Sequence, residues 1–570
     1  MADSVSIALT GSGGAGVMTA GQILLDAAAK AGLYGLMGRS TGPQIRGGEA
    51  AALVRLSTRP VDSPDDLYDV LVAFDWENVN RFAAELPLGP DSIILCDPSA
   101  GEIPSAIAAY GAKVVPMPFK EMAKAIPGAR ANMIGVGVLS VLTRLDEGAI
   151  LDVLTRQLGR KGEEVLKSST SAVAAGAKAA EGMTPIADLS GTAEAGPERW
   201  NISGNEAAGV GALRGGVKFC AAYPITPGTE ILEFLAPNLP KVGGVLVQAE
   251  DELASINMCI GGSFGGAASI TATSGPGLAL MTESLGLAVA SETPVVVVDV
   301  MRGGPSTGIP TKSEQSDLNI AVYGLHGDAP HLVIAASSIG DCLFSTQWAV
   351  HLAEALQTPA IVLSDQAMGQ ARAIIDRPAD VAFMGRRLVA NAPLENYKRY
   401  AVTASGVSPM AIPGTPGGEY TADGLEHTET GTPSSQNADH TAQLDKRKRK
   451  LDQFDYGSHW ADLEGEGDIA VLTFGSAIGP AREAIERAAA KGVKARLVGL
   501  RLITPIQPEK MAEALKGVSR VLVVEQTHDA QFHKFLRAHY DLPGKVELLN
   551  RAGPLPMRPG EIENRLSAGV

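Results

Sequence analysis

At 570 residues the chain is longer than one hydrophobic core usually holds, so three or four domains are expected. An apolar share of 45%, with 65 glycines and only 5% aromatic residues, suits tightly turned α/β units and argues against a β-sandwich. The net charge of −15 excludes the broad basic surface of a nucleic-acid binder.

The first residues show no basic stretch leading into an apolar core, and no uncharged run reaches membrane-spanning length. A cytoplasmic protein without membrane or nucleic-acid partners is therefore expected. The four cysteines, Cys96, Cys220, Cys259 and Cys342, form no C-x-x-C pair. They read as buried thiols, and the spacing supports neither a zinc site nor a cluster ligated by this chain alone.

A strand is predicted over 5–9, followed by Gly11-Ser12-Gly13-Gly14-Ala15-Gly16 and an Ala/Leu-rich helix to about residue 32. Strand, G-x-G-x-x-G, helix is the context in which backbone amides cradle a phosphate, so Gly11, Gly13 and Gly16 are candidate contacts. A dinucleotide fold would place an acid at the end of the next strand, where Leu36-Met37-Gly38-Arg39 stands instead, which argues against NAD. A second glycine stretch, Thr41-Gly42-Pro43-Gln44-Ile45-Arg46-Gly47-Gly48, is either an anion nest around Arg46 or a tight turn. Strands over 70–74, 92–96 and 113–115 alternate with helices, which predicts a mostly parallel sheet covered on both faces. Helical sequence over 147–181 closes this domain, and 184–200 reads as a linker.

A second α/β domain opens with Gly204-Asn205-Glu206-Ala207. It continues through Tyr223-Pro224-Ile225-Thr226-Pro227, where two prolines fix the backbone around Thr226. Strands are predicted over 245–247, 269–273 and 294–300. Between the first two lies Glu250-Asp251-Glu252-Leu253-Ala254, reaching Gly261, and after the second comes Thr273-Ser274-Gly275-Pro276-Gly277. The last strand leads into Arg302-Gly303-Gly304-Pro305-Ser306-Thr307-Gly308-Ile309-Pro310-Thr311, one cation and three hydroxyls in a loop suited to a carboxylate. Residues 400–446 turn to Gly, Pro, Thr and Ser with little periodicity, as in a lid or linker. The basic run Lys446-Arg447-Lys448-Arg449-Lys450 reads as a solvated helix start. A third α/β unit follows, with strands over 469–474, 495–500 and 521–524 and a helix over 480–491.

Together, the turn over 223–227, the block 250–277 and the loop from Arg302 through Lys312-Ser313-Glu314-Gln315-Ser316-Asp317 to Gly327-Asp328 closely resemble the alpha subunit of 2-oxoacid:ferredoxin oxidoreductases. The N-terminal segment, with its glycine loop and Arg46-Gly47-Gly48, is similar to the gamma subunit of the same family. The resemblance covers nearly the whole chain, as a gamma domain fused ahead of an alpha subunit, an arrangement most like that of the 2-oxoglutarate-using members. It implies three parallel-sheet α/β domains: a gamma domain over 1–185, a pyrimidine-binding domain over 201–400 and a transketolase C-like domain over 456–570. The linkers would be 186–200 and 401–455.

The resemblance further implies coenzyme A-dependent oxidative decarboxylation of a 2-oxoacid, with electrons passed to ferredoxin. Thiamine diphosphate would be shared with a separate beta subunit in an (alpha-beta)2 assembly. Because the chain has no G-D-G motif and no cluster cysteines, magnesium and a 4Fe–4S cluster are expected on that partner.

Glu252 matches the family acid that hydrogen-bonds the aminopyrimidine ring, since Glu252, Ala254 and Gly261 fit E-x-A-x6-G; Glu250 is the second candidate. Ser274 and Gly275 would line the cofactor. Thr226 resembles the threonine beside the reacting carbonyl, or is an ordinary turn residue. Arg302 and Thr311 match positions that contact the 2-oxoacid, with a structural salt bridge as the competing role for Arg302. His326 and Asp328 are read as support rather than chemistry. Two other readings stay open: an oxidoreductase for pyruvate, branched-chain or aryl 2-oxoacids, and a non-enzymatic nucleotide-binding regulatory subunit.

Overall fold

The computed structural model describes residues 3–41, 50–77, 79–190 and 199–568. Its contacts divide the chain into two compact units. The first comprises Met1–Ser203, Gln370–Ala379 and Arg558–Gly560; the second comprises Gly204–Gly369, Asp380–Met557 and Glu561–Val570. Among the described residues no helix is long and apolar enough to cross a membrane.

The first unit is built on an eight-stranded sheet. Strand Ser4–Gly11, buried on both faces, pairs in parallel with Val70–Ala73, and Ile93–Cys96 and Lys113–Pro116 extend that side in parallel. On its other side it pairs antiparallel with Ala50–Ser57, which pairs antiparallel with Tyr34–Thr41. The sheet is thus parallel in one half only. The antiparallel half went unread in the sequence because its small residues, Gly35, Gly38, Ala51 and Ala52, dilute the usual β-branched signal. The chain returns much later to add Arg372–Asp376 between Tyr34–Thr41 and Arg199–Ser203. The helices Val17–Lys30, Ala131–Thr143 and Glu163–Ala179 bring Ile23, Leu24, Ile134, Val138 and Val173 onto Ile7, Leu9, Val54 and Val72 to form the core.

The second unit holds two sheets. In the seven-stranded one, Leu332–Ala335, Pro359–Asp365, Val295–Met301, Ser269–Thr273, Phe219–Ala222 and Val245–Gln248 run parallel in that order. Val295–Met301 and Pro359–Asp365 are buried throughout, as their continuous apolar runs require. The outer strand Leu502–Thr504, supplied from the C-terminal third of the chain, pairs antiparallel with Leu332–Ala335. In the five-stranded sheet, Ala495–Leu500, Ile469–Phe474, Arg520–Glu525 and Lys545–Asn550 are parallel and Ala461–Glu464 is antiparallel. Val245–Gln248, Ser269–Thr273, Val295–Met301, Ile469–Phe474, Ala495–Leu500 and Arg520–Glu525 fall where the sequence places strands, whereas the other six strands of these two sheets had no span read from it.

The basic run contradicts its sequence reading. It forms the last turns of helix Asn437–Asp452, and Lys446, Arg447 and Lys450 face inward. Glu292, wholly buried, pairs with Lys446 and with Lys450 at 2.8 Å, and its backbone carbonyl accepts from Arg399 Nη2 at 2.8 Å. Burial pushes the Glu292 carboxyl up, but Lys450, Lys446 and Arg399 outweigh it and hold it well below the usual range. The reading failed because composition reports the charge of a run and not the acid waiting for it 154 residues earlier. Around this knot the irregular segment preceding the helix is tied down by Gln443 Nε2 donating to the Tyr400 carbonyl at 3.1 Å. Arg387 adds a bidentate pair with Glu354 at 2.8 and 2.9 Å.

Candidate active site

Asp251 caps helix Glu252–Phe264, its carboxylate accepting from the Ala254 amide at 2.7 Å. The cap puts Glu252 in the first turn with its side chain turned inward, 8% exposed, while Glu250 stands in solvent. Glu252 packs on the turn after strand Ser269–Thr273. A Cβ on Gly277 would lie 2.8 Å from Glu252 Cγ and 2.9 Å from its Oε1. Ser274, in that turn, is wholly buried, and its hydroxyl has no hydrogen-bond partner among the described residues.

Arg302 leaves the end of strand Val295–Met301 and is 6% exposed. Its Nη1 donates to the Thr226 carbonyl at 2.5 Å, and its Nε has no hydrogen-bond partner among the described residues. Burial pulls the guanidinium pKa down, opposed by Asp317, Asp299 and Glu252. Thr226 sits on a turn closed by Gly228 N–H to the Ile225 carbonyl at 2.8 Å and braced by Asn205 Nδ2 on the Pro227 carbonyl, also at 2.8 Å. The fold therefore brings Glu252, Thr226, Arg302 and Ser274-Gly275 together from four separate stretches of sequence at the carboxyl ends of one sheet, where ligands of open α/β sheets bind. Thr311 is half-buried farther along the loop that Arg302 begins. That loop folds back on itself, with Gly303 N–H on the Lys312 carbonyl at 3.0 Å and Ile309 N–H on the Gly303 carbonyl at 2.7 Å. His326 and Asp328 are exposed.

The five-stranded sheet holds the far end of this loop in place. Gln315 donates its amide to the Gln526 carbonyl at 2.9 Å and its Nε2 to the Phe474 carbonyl at 2.7 Å, and its Oε1 accepts from the Gln526 amide at 2.8 Å. Gln531 Nε2 donates to the Ser316 carbonyl at 2.8 Å, and its Oε1 accepts the Asn319 amide at 2.9 Å. Glu314 bridges the loop's two ends, accepting from Gly304 N–H at 3.2 Å and Gly553 N–H at 3.1 Å. The C-terminal α/β unit, which the sequence left without a role, is a support for the loop that carries Arg302 and Thr311.

Two further acids went unread. Asp299 stands inside the apolar strand Val-Val-Val-Val-Asp-Val-Met and Asp317 just before helix Leu318–Tyr323, and burial together with the neighbouring Asp317 pushes the Asp299 carboxyl well up. The signal was available: a lone carboxylate in a buried parallel strand needs a partner. A Cβ on Gly275 would stand 2.5 and 2.6 Å from the two Asp317 carboxyl oxygens, so this glycine makes room for an acid of the same chain.

In the first unit, the Gly11-to-Gly16 loop joins strand Ser4–Gly11 to helix Val17–Lys30, with Gly14 at φ 97° and Gly16 at φ 80°. One anion already lies against it. Asp75 accepts from the Ser12 amide at 2.9 and 3.0 Å and from its hydroxyl at 2.9 Å. Arg46-Gly47-Gly48 lie outside the described residues, as does most of the predicted linker. The four cysteines are all buried.

Comparison with known proteins places this geometry. Residues 6–179 match the pyruvate ferredoxin/flavodoxin oxidoreductase domain, 210–446 the thiamine diphosphate-binding domain of pyruvate flavodoxin/ferredoxin oxidoreductases, and 459–533 the transketolase C-terminal domain. The fold superposes over its full length on the solved structure of a 2-oxoglutarate:ferredoxin oxidoreductase from Magnetococcus marinus, with a TM-score of 0.92, 37% identity and complete coverage of both chains. The alpha subunit of 2-oxoacid:ferredoxin oxidoreductase 2 from Aeropyrum pernix is 30% identical over 94% of this chain and 93% of its own. The 2-oxoglutarate synthase subunit KorA from Methanothermobacter marburgensis is 36% identical over 65% of this chain and 98% of its own.

The chain belongs to the 2-oxoacid:ferredoxin oxidoreductases, as an alpha subunit with the gamma domain fused ahead of it. It is an enzyme subunit, and the regulatory-protein reading falls away. The site suits the aminopyrimidine end of thiamine diphosphate: one acid turned inward on a small-residue turn, beside a buried serine hydroxyl with no hydrogen-bond partner among the described residues.

Proposed function

We propose that this chain provides the substrate-facing half of an active site for coenzyme A-dependent oxidative decarboxylation of 2-oxoglutarate to succinyl-CoA, with electrons passed to ferredoxin. The observation carrying the reading is the meeting of a buried glutamate, Glu252, with a buried arginine, Arg302, at the ends of one parallel sheet. Thiamine diphosphate, when bound, supplies the nucleophilic carbon and the electron sink that decarboxylation of a 2-oxoacid needs. Glu252 would hydrogen-bond the ring nitrogen of the aminopyrimidine, and its burial keeps water from competing for that contact. Arg302 pairs with a carboxylate of the 2-oxoacid, Thr311 lines the same loop, and the Thr226 hydroxyl faces the reacting carbonyl. Ser274 and Gly275 line the cofactor side.

The substrate assignment draws on the relatives. Those matching the alpha portion are named 2-oxoglutarate synthase subunits, and the Magnetococcus marinus structure is described with 2-oxoglutarate, coenzyme A and succinyl-CoA bound. A beta subunit would bring magnesium and the 4Fe–4S cluster, for which this chain offers no G-D-G motif and no exposed cysteine. Exposed apolar side chains near the site, Tyr223, Leu253, Met258 and Leu280, suit a partner surface in an (alpha-beta)2 assembly. Gly11, Gly13 and Gly16 are the proposed phosphate contacts for coenzyme A; with Asp75 on the Ser12 amide, the amides nearer the helix are those left to serve.

The test is a substrate panel on the complex, following ferredoxin reduction with and without coenzyme A. 2-Oxoglutarate is expected to lead pyruvate, branched-chain and aryl 2-oxoacids, and this polypeptide alone to be inactive. Preference for another 2-oxoacid, or robust turnover without the partner, overturns the respective part. Gly13→Val is expected to raise the coenzyme A concentration needed.

A further inference from the structure

Asp299 and Asp317 form a pair of carboxyls beneath the Gly275 turn that the site as described does not use. Asp299 is 0% exposed, and neither of its side-chain oxygens takes an N–H or hydroxyl donor from the described residues. Asp317 keeps part of its surface exposed, but its Oδ2 is sealed off and has no such donor either. The Gly275 amide donates to Asp317 at the start of the sixteen-residue helix Gly275–Ala290, whose positive end favours an anion there.

Two ionised carboxylates in contact and out of water repel strongly, and among the described residues no N–H or hydroxyl donor offsets the desolvation of Asp299. The charged groups facing them are Arg302, which senses both, Glu314 beside Asp317, and Glu252, which faces Arg302. With all four acids ionised, one guanidinium would meet four negative charges. A hydrogen-bonded acid and carboxylate resolve this. Asp317 receives the Gly275 amide and is the better anion, so Asp299 keeps the proton and donates it to Asp317.

We propose that Asp299 and Asp317 share one proton and thereby act as positioning residues for Arg302, setting at most one negative charge rather than two against its guanidinium and leaving it free to take the carboxylate of the 2-oxoacid. This rests on the assignment of Arg302 to that carboxylate. Burial raises both acids, Glu314 raises Asp317 further, and Asp317 is pushed up to about 7. As the pH rises past that point Asp317 loses its own proton and becomes the anion while Asp299 keeps the shared one, so a negative charge joins Arg302 and the substrate carboxylate is held less well.

The experiment uses the assembled enzyme. The KM for the 2-oxoacid is expected to rise on the order of tenfold between pH 6 and 8.5 in the unmutated protein. It is expected to be flat over that window in Asp317→Asn, whose amide donates to Asp299 and has no proton to lose. Asp299→Asn, which keeps Asp317 as the anion, should behave alike and serves if the first variant folds poorly. Infrared difference spectra of the unmutated complex across the same range should show the loss of a protonated-carboxyl C=O band that is missing in both variants. The same KM profile in parent and variants overturns the positioning role, and absence of that band at neutral pH overturns the shared proton. If Arg302→Lys leaves the KM of every 2-oxoacid unchanged, the substrate assignment fails and takes the positioning role with it. The infrared band then still decides whether the pair shares a proton.

Discussion

Glu252 and Gly277 are packed so closely that a methyl group on Gly277 would stand 2.8 Å from Glu252 Cγ and 2.0 Å from Thr273 Oγ1. The acid therefore owes its position to a side chain that is absent from the next helix, Gly275–Ala290. Gly277→Ala is expected to push Glu252 off its place and to cost about 1–3 kcal/mol of stability through overpacking. Thermal unfolding and turnover of the complex check this. A fully active, equally stable variant would show that Glu252 is placed by its own helix alone.

Glu252→Gln should leave assembly with the partner intact and cut turnover by roughly 10²- to 10⁴-fold, the usual size of a lost general acid-base term. Glu250, exposed to solvent, should tolerate the same change. Steady-state kinetics of the two variants side by side decide the register. A dead Glu250→Gln enzyme with an active Glu252→Gln enzyme would reverse the assignment.

Arg302→Lys keeps the charge but loses the planar fork that pairs with a carboxylate in one orientation. The expected result is a raised KM with little change in the unfolding temperature, and its pattern across substrates tells which carboxylate is held. A loss shared by 2-oxoglutarate, pyruvate and 2-oxobutyrate marks the common 1-carboxylate, the outcome expected from the place of Arg302 at the end of its strand. A loss confined to 2-oxoglutarate would assign it the distal carboxylate instead.

The buried knot of Glu292, Lys446, Lys450 and Arg399 makes a prediction about stability rather than chemistry. Glu292→Gln strands two ammonium groups in the interior and should destabilise by about 3–5 kcal/mol, read by denaturant unfolding. Burial lowers Lys446 from 10.5 to about 8 despite its pairing with Glu292. Between those values the unfolded chain holds a proton that the folded chain has released, so stability rises with pH across that window. The rise should shrink in Lys446→Met.

The three α/β units and half of their strands were legible in the linear sequence, because apolar periodicity and turn chemistry are local properties. Strands 269–273, 469–474 and 495–500 fall where their apolar runs predict. The basic run misled for the complementary reason: local charge says nothing about a buried acid far away in the chain.

What the sequence by itself determined is the set of parts: an acid at a helix start, a small-residue turn, an arginine at the end of a buried strand, and a glycine loop after the first strand. Only the tertiary structure decided that Gly275 is kept small by Asp317 and Gly277 by Glu252, and that Gln315 and Glu314 tie the arginine loop to the C-terminal sheet. It alone paired Asp299 with Asp317. These are contacts between residues that are far apart in the chain, or between side chains whose burial depends on the whole sheet. Their energies come from excluded water and close packing, which exist only once the chain has folded.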